Sequence, residues 1–455
     1  MIKISDNFYY PIYEYLYLFV MVIYMAQMTP DTGRMVGGLS GNPIPLLIPI
    51  VMTVILLVRN PISFAHSKLW TFVSIMLCWS IAVCYKFHDF SSSNLSYYFF
   101  LFYAIFIAFV HVRVYGRDLF PIYEHIMVVF SAIILCLWGI SVIFPETGIF
   151  FHLFPETGSG NNVLYLFNWM DPLKGQIYGS LIRNAGCSWE PGRFAIMLIP
   201  AIVTNLSREG ILFRGNTKII ILLLALACTF STTGYSITFL VYVIFWLREV
   251  NTKSILTLVL IALPLAAAIF SLDFMAEKIQ DKANFEGLTR ERMHNINYNS
   301  KMYGDEYLGS FDRFESAYFE WANFKKEPLI GYGRNNDHSW FRQEVTKNFA
   351  LTGGLVKTLS QYGIFIGFLL FALLLYSSAK ISRTGWFQQR IAIATALLLS
   401  SLSYPVFCIP IFTAFWLYGL FCYEEDEIAI DAEEIYEEDG ENVGDFCLNE
   451  HTNDD

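Results

Sequence analysis

The sequence predicts an all-α polytopic integral membrane protein, with about twelve transmembrane helices and a large helical loop on the outer side. Three observations carry this expectation. The 455 residues are 55% hydrophobic, 17% aromatic and only 15% charged, and the mean hydropathy is +0.45. Apolar stretches near the roughly 20 residues needed to cross a hydrocarbon core recur from one end of the chain to the other. Lys and Arg crowd into every second short connection, the bias that marks cytoplasmic loops.

In chain order, the apolar runs fall at about 12–28, 43–58, 69–85, 95–112, 119–144, 193–206, 218–232, 235–248, 254–272, 353–378, 388–405 and 406–421. Lys3, Asp6 and Glu14 come before or at the start of the first run, and no small-residue cleavage site follows it. It therefore reads as a retained first helix rather than a signal peptide. If the runs alternate, Arg59 with Lys68, Arg113 with Arg117, Arg208 with Lys218, and Lys380 with Arg390 share one side. That side is cytoplasmic and holds both termini. Two long connections, about 145–192 and 273–352, then lie outside.

The first outer connection opens with FPETG at Phe144–Gly148 and repeats it at Phe154–Gly158, a local duplication. Gly, Asn and Asp-Pro turn signals carry it on to Arg183. The second is charge-dense and helix-compatible: Asp273, Glu277, Lys278, Asp281 and Lys282 stand at pairing distance, and Phe314, Tyr318 and Trp321 share a face. A helical cap is expected there. Pro328, Gly331 and Gly333 then force turns in KKEPLIGYGRNN. Residues 1–422 form the membrane domain. The last segment, 423–455, holds fifteen Asp or Glu and no Lys or Arg, which accounts for the formal net charge of −10; it reads as a disordered cytoplasmic tail.

The eight cysteines stand singly without a CxxC pair, so they read as small buried hydrophobes rather than disulfides or metal ligands. No DxD-like pair or His/carboxylate cluster falls on the outer side. No metal, cofactor or nucleic-acid partner is expected.

The charge map separates two function classes. Glu14, Glu124 and His125 lie within two or three turns of a span end, Lys357 about one turn in, and almost nothing ionisable falls mid-span. Ion-coupled transporters need titratable groups near the bilayer midplane, so a flippase or exporter is the rival rather than the leading class. Polar chemistry gathers instead at the outer mouth. RNAGCSWEPGRFA, Arg183–Ala195, sets Glu190 just before Pro191, a residue suited to a helix's first turn. The helix dipole favours a carboxylate at that point and offers N–H groups to an anion. Arg183, Arg193, Arg313, Arg334 and His338 lie outside beside Trp189, Trp321 and Tyr332. Such a set suits a membrane-anchored anionic ligand carrying sugars, with guanidinium forks on phosphate and aromatic faces on pyranose rings. Taken singly, each reads first as an interfacial belt residue; Arg183, Glu190 and Arg313 as a set point to a site.

RNAGCSWEPGRFA, the turn in FSTTGYSITFL, RFESAYFEWANFKKEPLIGYGRNN and GGLVKTLSQYGIFIG together resemble the O-antigen polymerase and O-antigen ligase superfamily of bacterial envelope glycosyltransferases. Order and spacing agree over about 183–367; the first 140 residues match only as a number of spans. The matching positions are Arg183, Glu190–Gly192, Ser231–Gly234, Arg313, Trp321, Pro328, Leu329, Gly331, Gly333 and Tyr362–Ile364. Ligases of the superfamily usually carry a histidine shortly before the span opened here at Gly353. This sequence has NFALTGG there, with His338 farther back, which favours a polymerase.

The resemblance implies an enzyme of the bacterial cytoplasmic membrane that joins polyprenyl-diphosphate-linked oligosaccharide repeat units into O-antigen, capsular or exopolysaccharide. It would work among membrane lipids, beside a repeat-unit flippase and a chain-length regulator. Arg183 and Arg313 would hold the diphosphate and neutralise it as it leaves, and Glu190, or second His338, would take the acceptor proton. Arg193, Arg334, Trp189, Trp321 and Tyr332 would bind substrate. A ligase moving finished glycan to a lipid or protein acceptor is the alternative within the superfamily.

Overall fold

The computed structural model describes residues 1–5, 8–28, 44–151, 162–163, 167–169, 177–178, 181–211, 215–248, 294, 309–310, 313–345, 349–351, 353–384 and 390–422. The expected span at 254–272, the charged repeat at 273–282 and the acidic tail lie outside the described residues.

The described chain is mostly helical. Its main helices are α1 (Ile12–Gln27), α2 (Ile44–Arg59), α3 (Ser67–Phe87), α4 (Ser92–Tyr115), α5 (Leu119–Ile143), α6 (Pro191–Glu209), α7 (Thr217–Ala227), α8 (Thr232–Arg248), α9 (Arg313–Lys326), α10 (Leu355–Ile381), α11 (Arg390–Ser403) and α12 (Pro410–Phe421). Strands are minor. An antiparallel pair, β1 (Ile2–Ser5) and β2 (Phe8–Tyr10), precedes α1, and two-residue pairs occur in the two long connections, the last joining Gly309–Ser310 to Phe349–Ala350 in parallel.

Helix starts follow ordinary capping chemistry. Ser91 accepts from the Asn94 N–H (3.2 Å) at α4, Asn216 from Ile219 (3.2 Å) at α7, and proline fills the first turn of α6 and α12. Eleven of the expected apolar runs coincide with helices. Among the described residues, three helical stretches are long and apolar enough to cross a membrane: Ser67–Phe87, the 52-residue Ser92–Ile143, and Leu355–Ile381. The middle one is interrupted at Gly116 (φ 50°, ψ −132°) and folds back there. Six more apolar helices among the described residues are shorter, 10–17 residues.

Helix ends sort into two poles. At one, called here the turn pole, Arg59 and Asn60 at the end of α2 reach Glu14 at the start of α1 (3.3 and 3.1 Å). Arg208 and Asn205 of α6 meet Glu124 of α5 (2.7 and 2.8 Å), and Arg113 of α4 caps the Phe421 carbonyl of α12 (3.3 Å). Lys218 reaches the Ile4 carbonyl (3.5 Å), so the first strand and the end of α12 share this pole. At the other, the loop pole, the end of α1 meets the start of α6. There Trp138 of α5 donates to the Ile182 carbonyl (3.0 Å), and the end of α11 presses on the start of α10 at Gly354. Helices α1 to α7 thus run alternately up and down.

The core between them is aromatic and aliphatic, with Tyr17, Phe109, Phe130 and Trp416 all inaccessible. Outward faces are apolar too. Leu47, Ile48, Val51, Val54, Ile55 and Val58 of α2 recur at helical spacing and are all exposed, a greasy stripe that water would not tolerate over such an area. Cys78 and Cys136 also face outward, so not every cysteine is the buried hydrophobe expected; the described ones form no disulfide.

Candidate functional site

Three chain segments meet at the loop pole. The first is 183–193. Gly186 adopts φ +61° beneath the Phe194 ring, where a Cβ would collide, and the turn is closed by Asn184 Oδ1 accepting from Gly186 N–H (2.9 Å). Asn168 braces it with Nδ2 on the Ser188 carbonyl (3.0 Å). Glu190 takes the cap position of α6 with extended backbone (φ −144°, ψ 137°) and does not close the cap with its own side chain. A Cβ on Gly192 would lie 3.7 Å from Glu190 Oε1 and 3.2 Å from the Tyr404 hydroxyl, so both oxygens border the space beside this glycine.

The two arginines of this segment each hold a helix end. Arg183, half-buried, donates from Nε to the Thr229 carbonyl (3.0 Å) and from Nη2 to Phe230 (3.4 Å), just past α7. Phe230 itself has φ 49°. Arg193 is 1% exposed. It donates to the Met25 and Met28 carbonyls (2.7 and 2.6 Å) at the end of α1 and lies over the Trp189 ring at 5.8 Å. Cations belong at helix C-termini, where the last carbonyls lack partners. Gln27 reinforces the junction by donating to the Cys187 carbonyl. Burial pushes the Cys187 thiol up to about 12. Arg193, expected to bind substrate, thus has both terminal nitrogens committed to α1.

The second segment is 327–338, and it explains why PLIGYG and QYGI occur together. Helix α10 is broken at Gly363 (φ 69°, ψ −178°). The break frees the Ser360 and Gln361 carbonyls, which accept from Tyr332 N–H (3.0 Å) and Gly333 N–H (3.0 Å), while Ile364 N–H turns to the Pro328 carbonyl (2.8 Å). The loop replaces the helix's lost hydrogen bonds, as broken backbone inside a membrane protein requires. Gly331 and Gly363 approach so closely that a Cβ on either would strike the opposing backbone.

Side chains from this loop are buried. Tyr332 directs its hydroxyl to Glu320 (3.3 Å). Glu320 also accepts from Ser360 Oγ (2.6 Å) and Asn323 Nδ2 (3.1 Å), which clamps α9 onto α10. Arg334 reaches the Tyr362 hydroxyl (3.3 Å) and Cys408 Sγ (2.7 Å). His338 stacks on Phe87 (4.5 Å, 11°) and bonds Asp89 Oδ2 through Nε2 (2.8 Å). Burial alone would raise the Asp89 carboxyl, but hydrogen bonds from Ser91 and His338 outweigh it and hold it below its ordinary value.

The third segment, Tyr404–Ile409, joins the other two. Tyr404 faces Gly192, the second residue after Glu190, and Cys408 faces Arg334. Glu190, Arg183, Arg193, Arg334, Trp189, Tyr332 and His338 therefore share one pole. Trp321 is on the exposed face of α9, stacked on Phe324 (5.1 Å). Arg313 opens α9, and its side chain lies outside the described residues.

Sequence reasoning missed Asp89, Glu320 and Tyr404. Helix α9 presents Tyr318 and Trp321 outward and buries Glu315, Ser316, Phe319, Glu320 and Asn323. That polar stripe was visible at helical spacing, but spacing does not say which stripe turns inward. Asp89 and Tyr404 carried no signal.

The pole therefore offers fixed positive charge, buried carboxylates and an imidazole held by a carboxylate. These can bind an anion and move a proton. Among the described residues no three His, Cys, Asp or Glu converge as a metal site would. Compared with models of known protein families and with curated proteins, the chain matches none, so the likeness to the O-antigen superfamily rests on the motifs themselves.

Proposed function

We propose that the protein is a polymerase of lipid-linked glycans, crossing the bacterial cytoplasmic membrane about twelve times, with both termini cytoplasmic and the loop pole outside. One observation supports this above the rest. RNAGCSWEPGRFA, PLIGYGRNN and the Gly363 break, separated by up to about 180 residues in sequence, pack at one pole around Tyr404–Ile409. A surface anchor would not need them together.

In this reading the polyprenyl diphosphate of the donor chain enters beside Arg183 and Arg313. The acceptor hydroxyl of the next lipid-linked unit attacks C1 of the donor's reducing-end sugar. A new glycosidic bond forms as the C1–O bond to diphosphate breaks, and diphosphate departs with the electron pair. Guanidinium charge placed where negative charge develops lowers the barrier. Glu190 or His338 takes the hydroxyl proton.

The test uses full-length protein in lipid nanodiscs and lipid-linked glycan extracted from cells that lack it. Wild type should release polyprenyl diphosphate and lengthen the glycan. Arg183→Lys and Arg313→Lys keep the charge and lose the fork, and each should slow release about 10- to 1000-fold. Release only when a separate lipid acceptor is added would make the protein a ligase. Glycan crossing the bilayer of proteoliposomes uncleaved would make it a flippase.

A further inference from the structure

Building on the glycosyl-transfer reading, we infer that Asp89 is a positioning residue that holds His338 as the acceptor-side base. Asp89 lies in the α3–α4 connection, a region the motif resemblance does not reach, 249 positions from its partner.

The geometry fixes the tautomer. An ionised carboxylate only accepts, so the 2.8 Å contact to Asp89 Oδ2 requires that His338 Nε2 carry the proton. In the neutral imidazole, the form that can act as a base, the lone pair is then on Nδ1. That atom is buried and has no hydrogen-bond partner. Leaving a buried polar atom unmatched is unfavourable, and the neighbourhood is built rather than loose. Phe87 covers one ring face nearly in parallel (11°). Asn335 Nδ2 also reaches Asp89 Oδ2 (3.4 Å), and the Ser91 N–H fixes Oδ1 (3.1 Å). Directly after Trp340 the chain runs as a π-helical turn, Phe341–Val345, an irregularity frequent beside functional sites.

A carboxylate on one imidazole nitrogen and an unpaired lone pair on the other is the arrangement that orients a general base. The acceptor O–H bond breaks and its proton passes to Nδ1, while the oxygen's electron pair forms the bond to C1 and diphosphate leaves. Asp89 stabilises the imidazolium until the proton is lost to water. Nδ1 is buried, so proton transfer to it takes place away from bulk water.

The experiment combines kinetics with 15N-histidine NMR of the full-length protein, the His338 signal being assigned from its loss in His338→Gln. Wild type should show the Nε2–H tautomer, and Asp89→Asn a mixture of both. With lipid-linked glycan from cells lacking the protein, Asp89→Asn should lower kcat roughly 100-fold with KM within about twofold. In a His338→Ala background the same change should cost less than about twofold, since two residues acting as one unit do not multiply. Asp89→Glu, which keeps an acceptor, should retain the tautomer and lose less than about tenfold. The proposal is overturned by an unchanged tautomer in Asp89→Asn, by losses that multiply in the double variant, or by equal losses in the Asn and Glu variants. If wild type releases no diphosphate, the glycosyl-transfer reading falls and the dyad's catalytic role with it, while the tautomer still decides whether Asp89 holds the ring.

Discussion

Arg193 and Arg183 each hold a helix end, and they differ in how fully they are enclosed. Arg193 is enclosed, with one nitrogen on Met25 and one on Met28. Lysine has a single ammonium on a flexible stem and cannot reproduce that fork. Arg193→Lys should therefore destabilise the protein by roughly 1–3 kcal/mol, the cost of a buried carbonyl losing its donor. Thermal unfolding in detergent measures it. Wild-type stability with lost turnover would instead make Arg193 a substrate residue. Arg183, half-buried, should melt closer to wild type as lysine while losing turnover. The sequence shows two arginines flanking Glu190, but not that one seals α1 and the other α7. Those partners lie 165 and 46 positions away, and nothing local encodes them.

At the scale of elements, the break in α10 is the feature whose cause is most local and whose consequence is least so. An L-residue at Gly363 would face a left-handed φ of 69° and a Cβ against the Leu329 carbonyl. Backbone strain of about 1–3 kcal/mol adds to overpacking of similar size. Gly363→Ala should thus cost roughly 2–6 kcal/mol and release the 328–333 loop. Gly139, in α5 with nothing within 4 Å of its would-be Cβ, is the control, and alanine there should be neutral or stabilise by up to about 1 kcal/mol. Denaturation midpoints of the two variants compare them, and a Gly363→Ala protein as stable as wild type would mean the helix can run straight. The glycines and Pro328 announce turns in the sequence. That the turn fills a gap in a helix thirty residues later becomes visible only when both backbones are in place.

For the whole molecule, apolar periodicity located the helices well because each buries or exposes a continuous greasy face. It located crossings less well, because α7 and α12 are only 11 and 12 residues long and 30 Å of hydrocarbon needs about 20. The two poles bear on this independently of length. Arg59, Arg113 and Arg208 all end helices at the turn pole, where positive charge favours the cytoplasm. Single cysteines in a cysteine-free background should follow: exposed Ser93 and Asp337 at the loop pole, exposed Arg117 and Glu209 at the turn pole. A membrane-impermeant maleimide added to intact spheroplasts should label Ser93→Cys and Asp337→Cys, and should label Arg117→Cys and Glu209→Cys only after lysis. The reverse pattern would invert the molecule and place the arginines, Glu190 and His338 in the cytoplasm, where polyprenyl-linked chains are not extended in this reading. Labelling of one site from each pole in intact cells would break the alternation itself, and with it the shared outer mouth on which the proposed transfer depends.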